Sequence, residues 1–263
     1  MTPAWTPDIV TTDLSRAVHY TLLWGLEGVA LRTVGGAGDR VPFVNEAALR
    51  RRLEEAELPV VAVDPGVLEG DVAARAAWLN DLDVLAETAA FCRRVGCAVV
   101  RVGALAAGGY DRDAAAGALN RAADVAGRHG LRLAVRNEAG TAVATGTALS
   151  DLLRDAPDAL AADWRPADAL AAGEDPALGL RALLDADVPV AVVGVRDGHG
   201  GPGGWEAAVP GEGGVGWDGH LADIAAGGFG GPLVIDGLPA PAQTHGLAAS
   251  TALISSARRA RRR

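Results

Sequence analysis

Two kinds of segment alternate along the 263 residues of this chain: short apolar runs and longer runs with helical spacing. The short runs, which are typical of buried β-strands, are Asp8–Val10, Gly28–Leu31, Val60–Val63, Ala98–Val102, Arg132–Val135, Leu160–Ala162, Val190–Val195 and Pro232–Ile235. The helical runs are Leu14–Trp24, Glu46–Glu55, Val72–Arg94, Arg112–His129, Ala148–Arg154, Pro176–Asp185, Trp217–Ala226 and Leu247–Arg258. Strict alternation favours a parallel sheet covered by helices, and eight such units close naturally into a (β/α)8 barrel of the α/β class. We predict one barrel domain over residues 1–256 and a basic C-terminal tail over residues 257–263.

The charge of the chain excludes several classes of function. All 24 basic residues are arginine, so chemistry that needs a lysine, such as Schiff-base formation or a P-loop, is ruled out. The formal net charge is −9 although the last seven residues contain five arginines, and such an acidic body repels nucleic acid and anionic membranes. The sequence shows no secretory signal and no membrane-length apolar run. We therefore expect a cytoplasmic protein without nucleic-acid or membrane partners, whose tail is the solvated end of the last helix; a homodimer is compatible with the sequence.

Glycine and cysteine motifs do not indicate a cofactor. The pattern GxGxxG occurs at 198–203 and 211–216, but a dinucleotide site needs it to open a helix directly after a strand, which Pro202 and the trailing loop prevent. GxSxG, HExxH and CxxC motifs are absent from the sequence. Cys92 and Cys97 have neither the number nor the spacing of a disulfide framework or a zinc cluster. We expect buried, reduced thiols and no cofactor.

Several strings in the second half of the chain resemble one known family. They are GLRLAVRNEAGT (130–141), WRPADALAAGEDP (164–176), VVGVRDG (192–198), VPGEGGVGW (209–217) and GFGGPLVIDG (228–237). Together they are similar to the xylose isomerase-like barrels, a family of sugar and sugar-phosphate isomerases and epimerases. Residues 28–32 and 98–101 resemble the second and fourth strands of that family.

The resemblance implies a divalent metal held by Glu, Asp, His and Glu at the ends of the fifth to eighth strands. This chain has Arg136, Arg165, Gly194 and Asp236 in those positions. Glu138 and Asp163 lie two residues from the lost ligands on the same strand face, and they offer an alternative pair of carboxylates. Against this, each nearby guanidinium would repel a cation by roughly 4 kcal/mol per unit charge at about 4 Å. We expect a site without a metal.

Arginines occupy the end of the predicted barrel where such enzymes keep their chemistry. They either converge on a phosphate or carboxylate ligand, or form a purely structural network in which Arg136 and Arg165 pair with Asp236 or Asp163. We assign ligand binding to Arg32, Arg101, Arg136, Arg165, Arg196, Asp197, His199 and Trp164, and catalysis to Glu138, Asp163 and Asp236. Trp205, like Trp164, could offer an apolar face to a sugar ring.

The sequence thus predicts a metal-free, isomerase- or epimerase-like barrel that binds a small anionic, sugar-like ligand. The alternative is an inactive relative whose arginine–carboxylate pairs only stabilise the barrel. The apurinic endonuclease branch of the family needs several metal ions and a basic DNA-binding face, and this sequence predicts neither.

Overall fold

The computed structural model describes residues 1–36 and 38–262. The strands are β1 (Thr2–Trp5), β2 (Gly28–Leu31), β3 (Val60–Val63), β4 (Val99–Val102), β5 (Arg132–Arg136), β6 (Leu160–Trp164), β7 (Val190–Val195), β8 (Asp197–Gly201), β9 (Gly204–Ala208) and β10 (Pro232–Ile235). The helices are α1 (Leu14–Leu23), α2 (Glu46–Glu55), α3 (Arg75–Val95), α4 (Arg112–Gly127), α5 (Gly146–Leu153), α6 (Pro166–Ala171), α7 (Pro176–Asp185), α8 (Trp217–Ala226) and α9 (Ala242–Ala260). Eight strands pair in parallel in the closed order β1-β10-β7-β6-β5-β4-β3-β2. The predicted (β/α)8 barrel is confirmed.

The predicted first strand, Asp8–Val10, is wrong. Pro7–Ile9 forms a 3-10 turn, and the barrel is closed by Thr2–Trp5, which pairs with both β10 and β2. Proline favours the first turn of a helix because its missing N–H is not needed there. In β1 itself, Pro3 obscures the strand signal because proline is rare in strands.

The glycine-rich stretch after β7 is not simply a loop. Residues 197–208 form an antiparallel hairpin in which β8 pairs with β9. A short helix, α6, follows β6 directly, with Pro166 in its first turn. Both elements sit at the carboxyl end of the barrel, where the functional loops of this fold lie.

The tail begins later than predicted. Helix α9 continues to Ala260, and Ala257 and Ala260 are buried, so residues 257–260 belong to the helix layer of the barrel. Arg259 pairs with Asp218 of α8. Arg263, the last arginine of the predicted tail, lies outside the described residues.

Side-chain alternation stacks two unlike layers inside the barrel. Strand residues two apart share a face. The lower layer is small and apolar: Ala4, Ala30, Ala62, Ala134, Ala161, Val192 and Val234. Two residues further along the strands stand Arg32, Asp64, Arg136, Asp163 and Asp236, with Arg101 alongside on β4; we call these six the charged layer.

Two further findings concern the helix layer. Cys92 and Cys97 are buried free thiols, as predicted. Within residues 1–36 and 38–262, no helix combines the length and apolarity needed to cross a membrane.

Candidate functional site

Arg101 is the centre of the charged layer. Its Nε donates to Asp163 Oδ2 (2.8 Å) and its Nη2 donates to Asp163 Oδ1 (3.1 Å) and Asp236 Oδ2 (2.6 Å). The residue is 1% exposed. Burial alone would lower the pKa of Arg101, but Asp163 and Asp236 outweigh it and raise that pKa. One guanidinium therefore joins β4, β6 and β10 across the barrel.

A second set of ion pairs lies on the side of β3 and β5. Arg136 Nη1 donates to Asp64 Oδ2 (2.9 Å), and Arg136 Nη2 donates to Glu69. Arg40 Nη2 reaches the other oxygen of Asp64 at 3.0 Å. Burial would raise the pKa of Asp64, but the neighbouring guanidiniums of Arg136, Arg101 and Arg40 hold it well below the usual range. Arg136 thus pairs with Asp64 and Glu69 and not with Asp163 or Asp236.

Arg165 occupies the space that a side chain at Gly194 would need. A Cβ at Gly194 would lie 2.9 Å from Arg165 Cγ and 3.3 Å from Asp236 Oδ2. The glycine at the seventh-strand position and the arginine at the sixth therefore fit each other, since a histidine at position 194 would displace Arg165. On this strand, the space where the resembled family places its histidine ligand is filled by the aliphatic part of the Arg165 side chain.

The guanidinium of Arg165 is close to carboxylates but is not hydrogen-bonded to them. Its Nη2 lies 3.3 Å from Asp236 Oδ2 and its Nε lies 3.6 Å from Asp163 Oδ2. In the described part of the chain, this guanidinium donates no hydrogen bond, and its Nε is buried without a partner. Burial lowers the pKa of Arg165, although Asp236 and Asp163 oppose that effect.

Arg196 and Arg32 complete the ring of arginines. Arg196 Nε donates to Asp236 Oδ1 (3.0 Å), and its Nη2 lies 3.1 Å from Asp168 Oδ2. Arg32 forms a two-pronged pair with Asp8 at 2.8 and 2.7 Å. Burial would raise the pKa of Asp236, but Arg165, Arg196 and Arg101 hold it far below its usual range.

A cavity of about 530 Å³ opens above these ion pairs. Its walls are charged almost throughout: Arg32, Arg40, Asp64, Glu69, Arg136, Glu138, Thr141, Arg165, Arg196 and Asp236. The structure thus brings four of the five predicted arginines to one cavity, while Arg101 lies beneath it. Such a lining suits a small, strongly polar ligand, because an apolar ligand would strip water from charged groups and return no hydrogen bonds.

The three predicted catalytic carboxylates lie in different surroundings. Asp163 is fully buried in its pair with Arg101, and Asp236 is shared by Arg101 and Arg196. Glu138 stands at the mouth with half of its side chain exposed, and its Oε2 lies 3.7 Å from Arg136 Nε. Of the three, Glu138 is the one that a ligand in the cavity can approach freely.

Trp164 and Asp197, both predicted to bind the ligand, are not among the residues that line the cavity. Trp164 faces the helix layer, fully buried, and its Nε1 donates to His220 Nε2 at 2.9 Å; strand alternation turns it away from Asp163. Asp197 accepts backbone N–H bonds from Gly198, Gly211, Gly213 and Val215. Its carboxylate fastens the base of the hairpin.

His199 lies on the exposed part of β8, opposite Glu206, and is not among the residues of the cavity wall. Arg40, Glu69 and Asp168 also take part in these ion pairs, and the sequence did not predict them. Arg40 and Glu69 lie in loops that follow β2 and β3, where no periodicity marks a residue as inward-facing. Their position shortly after a barrel strand is the sequence feature that could have indicated a place at the barrel mouth.

The donor set at the barrel mouth does not fit a divalent cation. The alternative pair of carboxylates, Glu138 and Asp163, does not form a metal site either. Asp163 is hydrogen-bonded to Arg101, and Glu138 lies beside Arg136. Among the described residues, no three His, Cys, Asp or Glu side chains are grouped so that they could hold a metal. Guanidiniums stand where the resembled family places metal-binding carboxylates.

Comparison with known proteins agrees with this barrel. A family profile described as "Xylose isomerase-like TIM barrel" matches residues 20–253. No curated protein matches the sequence. Similar solved structures include a D-tagatose 3-epimerase-like protein (13% identity, 98% of each chain covered, TM-score 0.80) and an L-ribulose 3-epimerase (16% identity, 99% of this chain and 96% of that chain, TM-score 0.78). A third is the IOLI protein with a bound zinc atom (14% identity, 97% and 96% covered, TM-score 0.77). At these identities the likeness is one of fold.

Proposed function

Since the chain belongs to the xylose isomerase-like TIM barrel family, we propose that its mouth binds a small anionic, sugar-like ligand without a metal and acts on it as an isomerase or epimerase. The observation that supports the binding step is Arg165, a buried guanidinium that lines the cavity and donates no hydrogen bond within the described residues. A phosphate or carboxylate in the cavity would accept paired N–H···O bonds from this guanidinium.

The sugar-like character of the ligand is proposed from the names of the neighbours in fold, two of which are or resemble sugar epimerases. The wall of the cavity is consistent with it. Alternating positive and negative side chains can donate to and accept from the hydroxyl groups of one small molecule.

The proposed reaction needs the residues at the mouth and water. Glu138 removes the proton from the carbon next to the ligand carbonyl, and the C–H electron pair forms the C=C bond of an enediolate. Arg165 holds the anionic group, and another guanidinium of the cavity wall donates hydrogen bonds to the oxygen that gains the negative charge. Return of the proton to the former carbonyl carbon, with transfer of the hydroxyl proton from the neighbouring oxygen to the former carbonyl oxygen, completes an isomerisation. Addition of a proton from water to the opposite face of the carbon that lost it completes an epimerisation. Nothing is oxidised or reduced.

A second candidate is a binding protein without catalytic activity. It is favoured by the pairing of Asp163 and Asp236 with Arg101, which removes both from proton transfer. The two candidates share the anion site and differ in whether Glu138 exchanges a proton with the ligand.

Binding is tested by calorimetric titration with glucose 6-phosphate, ribulose 5-phosphate and inorganic phosphate. We expect binding to the unaltered protein and a loss of at least about tenfold in affinity, roughly 1.4 kcal/mol, for Arg165→Met. Arg128→Met is the control, because Arg128 is exposed on the surface after α4. Equal affinity in Arg165→Met would contradict the anion site.

Catalysis is tested by incubation of each bound sugar phosphate in D2O. Deuterium in the C–H position next to the carbonyl, lost in Glu138→Gln, supports the isomerase or epimerase. Binding without any deuterium uptake supports the second candidate.

The absence of a metal is tested by elemental analysis of the purified protein and by melting curves with added Zn²⁺, Mg²⁺ and Mn²⁺. We expect no stoichiometric metal and no rise in melting temperature, since a ligand that binds only the folded state must raise it. One divalent ion per chain, released by Asp163→Asn, would overturn the metal-free site.

A further inference from the structure

A second cavity, of about 280 Å³, adjoins the first. Its lining includes Glu138 and Arg196, which also line the central cavity. The two spaces therefore meet across these two side chains. A ligand seated over Arg165 can extend past Glu138 and Arg196 into the second space without crossing a buried barrier.

The walls of the second cavity differ from those of the first. One side is built from small side chains, Ala139, Ala167 and Ala171, and another is the indole of Trp205 on the hairpin. Asp168 and Arg196 supply polar groups between them. A flat apolar face with charged groups at its edge matches a sugar ring, whose faces carry C–H groups and whose edge carries hydroxyls.

Trp205 is held in place before any ligand arrives. A Cβ on Gly198 would come within 2.4 Å of Trp205 Cζ2, so the indole rests directly on the glycine backbone. The base of the hairpin is fixed by the carboxylate of Asp197, which accepts four backbone N–H bonds. A side chain fixed in this way loses little conformational freedom on binding, which favours affinity.

The exposure of Trp205 sets it apart from the other tryptophans. All six lie within the described part of the chain, and Trp205 is 38% exposed whereas each of the others is at most 7% exposed. Burial in the core accounts for the other five, but it does not account for an indole on a glycine-rich hairpin at the mouth.

We propose that Trp205 and the alanine wall form a second-ring subsite, and that the natural ligand is a glycoside: an anionic sugar in the central cavity, with its reacting ketone on a ring carbon other than the linked one, and a further ring in glycosidic linkage over Trp205. This inference rests on the proposed function, because it takes the anionic ring to lie at Arg165. It adds the size class of the ligand.

The test compares ligands that share one phosphorylated glucose ring. Glucose 6-phosphate has one ring, trehalose 6-phosphate adds a second sugar, and 4-nitrophenyl β-glucoside 6-phosphate adds an aromatic ring. We expect at least one two-ring probe to bind about tenfold more tightly than glucose 6-phosphate. Preference for trehalose 6-phosphate indicates a sugar as the second ring, and preference for the nitrophenyl compound indicates an aromatic one.

The matched variants separate the two cavities. Trp205→Ala removes the tenfold preference and leaves the affinity for glucose 6-phosphate unchanged, whereas Trp205→Phe keeps part of the preference. Leu178→Ala, an exposed apolar residue on α7, is the surface control and changes neither. In acrylamide quenching, the preferred two-ring probe protects a tryptophan in the unaltered protein, and that protection is absent in Trp205→Phe.

The second-ring subsite is overturned if the unaltered protein binds all three probes with equal affinity, or if the preference survives in Trp205→Ala. Neither result contradicts the proposed anion site. If no phosphate probe binds, the subsite falls together with the proposed function. If Arg165→Met, with Trp205 unaltered, binds none of the probes, the anionic ring lies at Arg165 as proposed.

Discussion

At the scale of single residues, the barrel mouth shows how buried arginines can be tolerated. Arg101 is buried, but its three hydrogen bonds to Asp163 and Asp236 replace hydrogen bonds that its guanidinium would make with water. A buried ion pair of this kind adds little net stability over an apolar pair, because desolvation offsets the attraction. Removal of one partner is a different matter, since it leaves an uncompensated charge.

We therefore predict that Arg101→Met lowers the free energy of unfolding by about 3–5 kcal/mol. Asp163 would lose its hydrogen-bonded cation while remaining fully buried. Urea unfolding followed by circular dichroism measures the change. Arg101→Met combined with Asp163→Leu should recover part of the loss, because the stranded carboxylate is then gone as well.

The control for this prediction is an exposed ion pair. Arg50 lies 3.4 Å from Glu54 with both side chains exposed, so Arg50→Met should leave stability nearly unchanged. A loss for Arg101→Met no larger than that for Arg50→Met would contradict the central role of Arg101.

At the scale of elements, the helix layer depends on one close approach between α5 and α7. A Cβ at Gly146 would lie 2.4 Å from the carbonyl oxygen of Gly179 and 2.5 Å from its Cα. These are backbone atoms, which cannot rotate away as a side chain can. The N-terminus of α5 is also fixed there by Glu174, which accepts from Gly146 N at 2.6 Å.

We predict that Gly146→Ala lowers the free energy of unfolding by about 1–3 kcal/mol, because α5 must move away from α7. Gly117 provides a matched comparison on α4, where an added Cβ meets no atom within 4 Å. Gly117→Ala should stabilise the protein by about 0.5–1 kcal/mol through helix propensity. Paired urea titrations measure both, and equal effects of the two substitutions would argue against the close approach.

At the scale of the whole molecule, the buried charges predict how stability depends on pH. His220 is buried, accepts a hydrogen bond from Trp164, and burial lowers its pKa from 6.5 to about 4. Between these pH values His220 is protonated in the unfolded chain but stays neutral in the folded chain. The free energy of unfolding therefore falls as the pH drops from about 6.5 to about 4. Below about pH 4, Asp64 and Asp236 determine the pH dependence of stability. Their pKa values are depressed in the folded state, so the stability that they contribute is lost as the pH falls further.

We predict that His220 accounts for about 3 kcal/mol of this loss, from 1.36 kcal/mol per pKa unit. His220→Gln should flatten the curve of unfolding free energy between about pH 6.5 and 4 and leave the steeper loss at lower pH in place. His19→Gln, at an exposed position of α1, is the control. A slope that persists in His220→Gln would contradict the assignment. The measurement is urea unfolding at successive pH values.

The architecture could be read from local pattern alone, because buried parallel strands and amphipathic helices mark themselves in the sequence. Four predicted strands, Gly28–Leu31, Val60–Val63, Val190–Val195 and Pro232–Ile235, agree with the structure at both ends. The alternation also placed five arginines at the carboxyl ends of strands. The first strand was misplaced because Pro3 lies within it and because Asp8–Val10, though apolar enough, is held as a turn after Pro7.

What the sequence determined, then, is the barrel, its family and the cations at its mouth. Only the tertiary structure decided which carboxylate each cation meets: Asp64 and Glu69 for Arg136, Asp163 and Asp236 for Arg101, and Asp236 and Asp163 without a hydrogen bond for the guanidinium of Arg165. It also decided that Trp164 faces helices while Trp205 faces a cavity. The physical reason is that strand periodicity fixes the face of a side chain, whereas ion pairing depends on distances between strands and loops far apart in the chain.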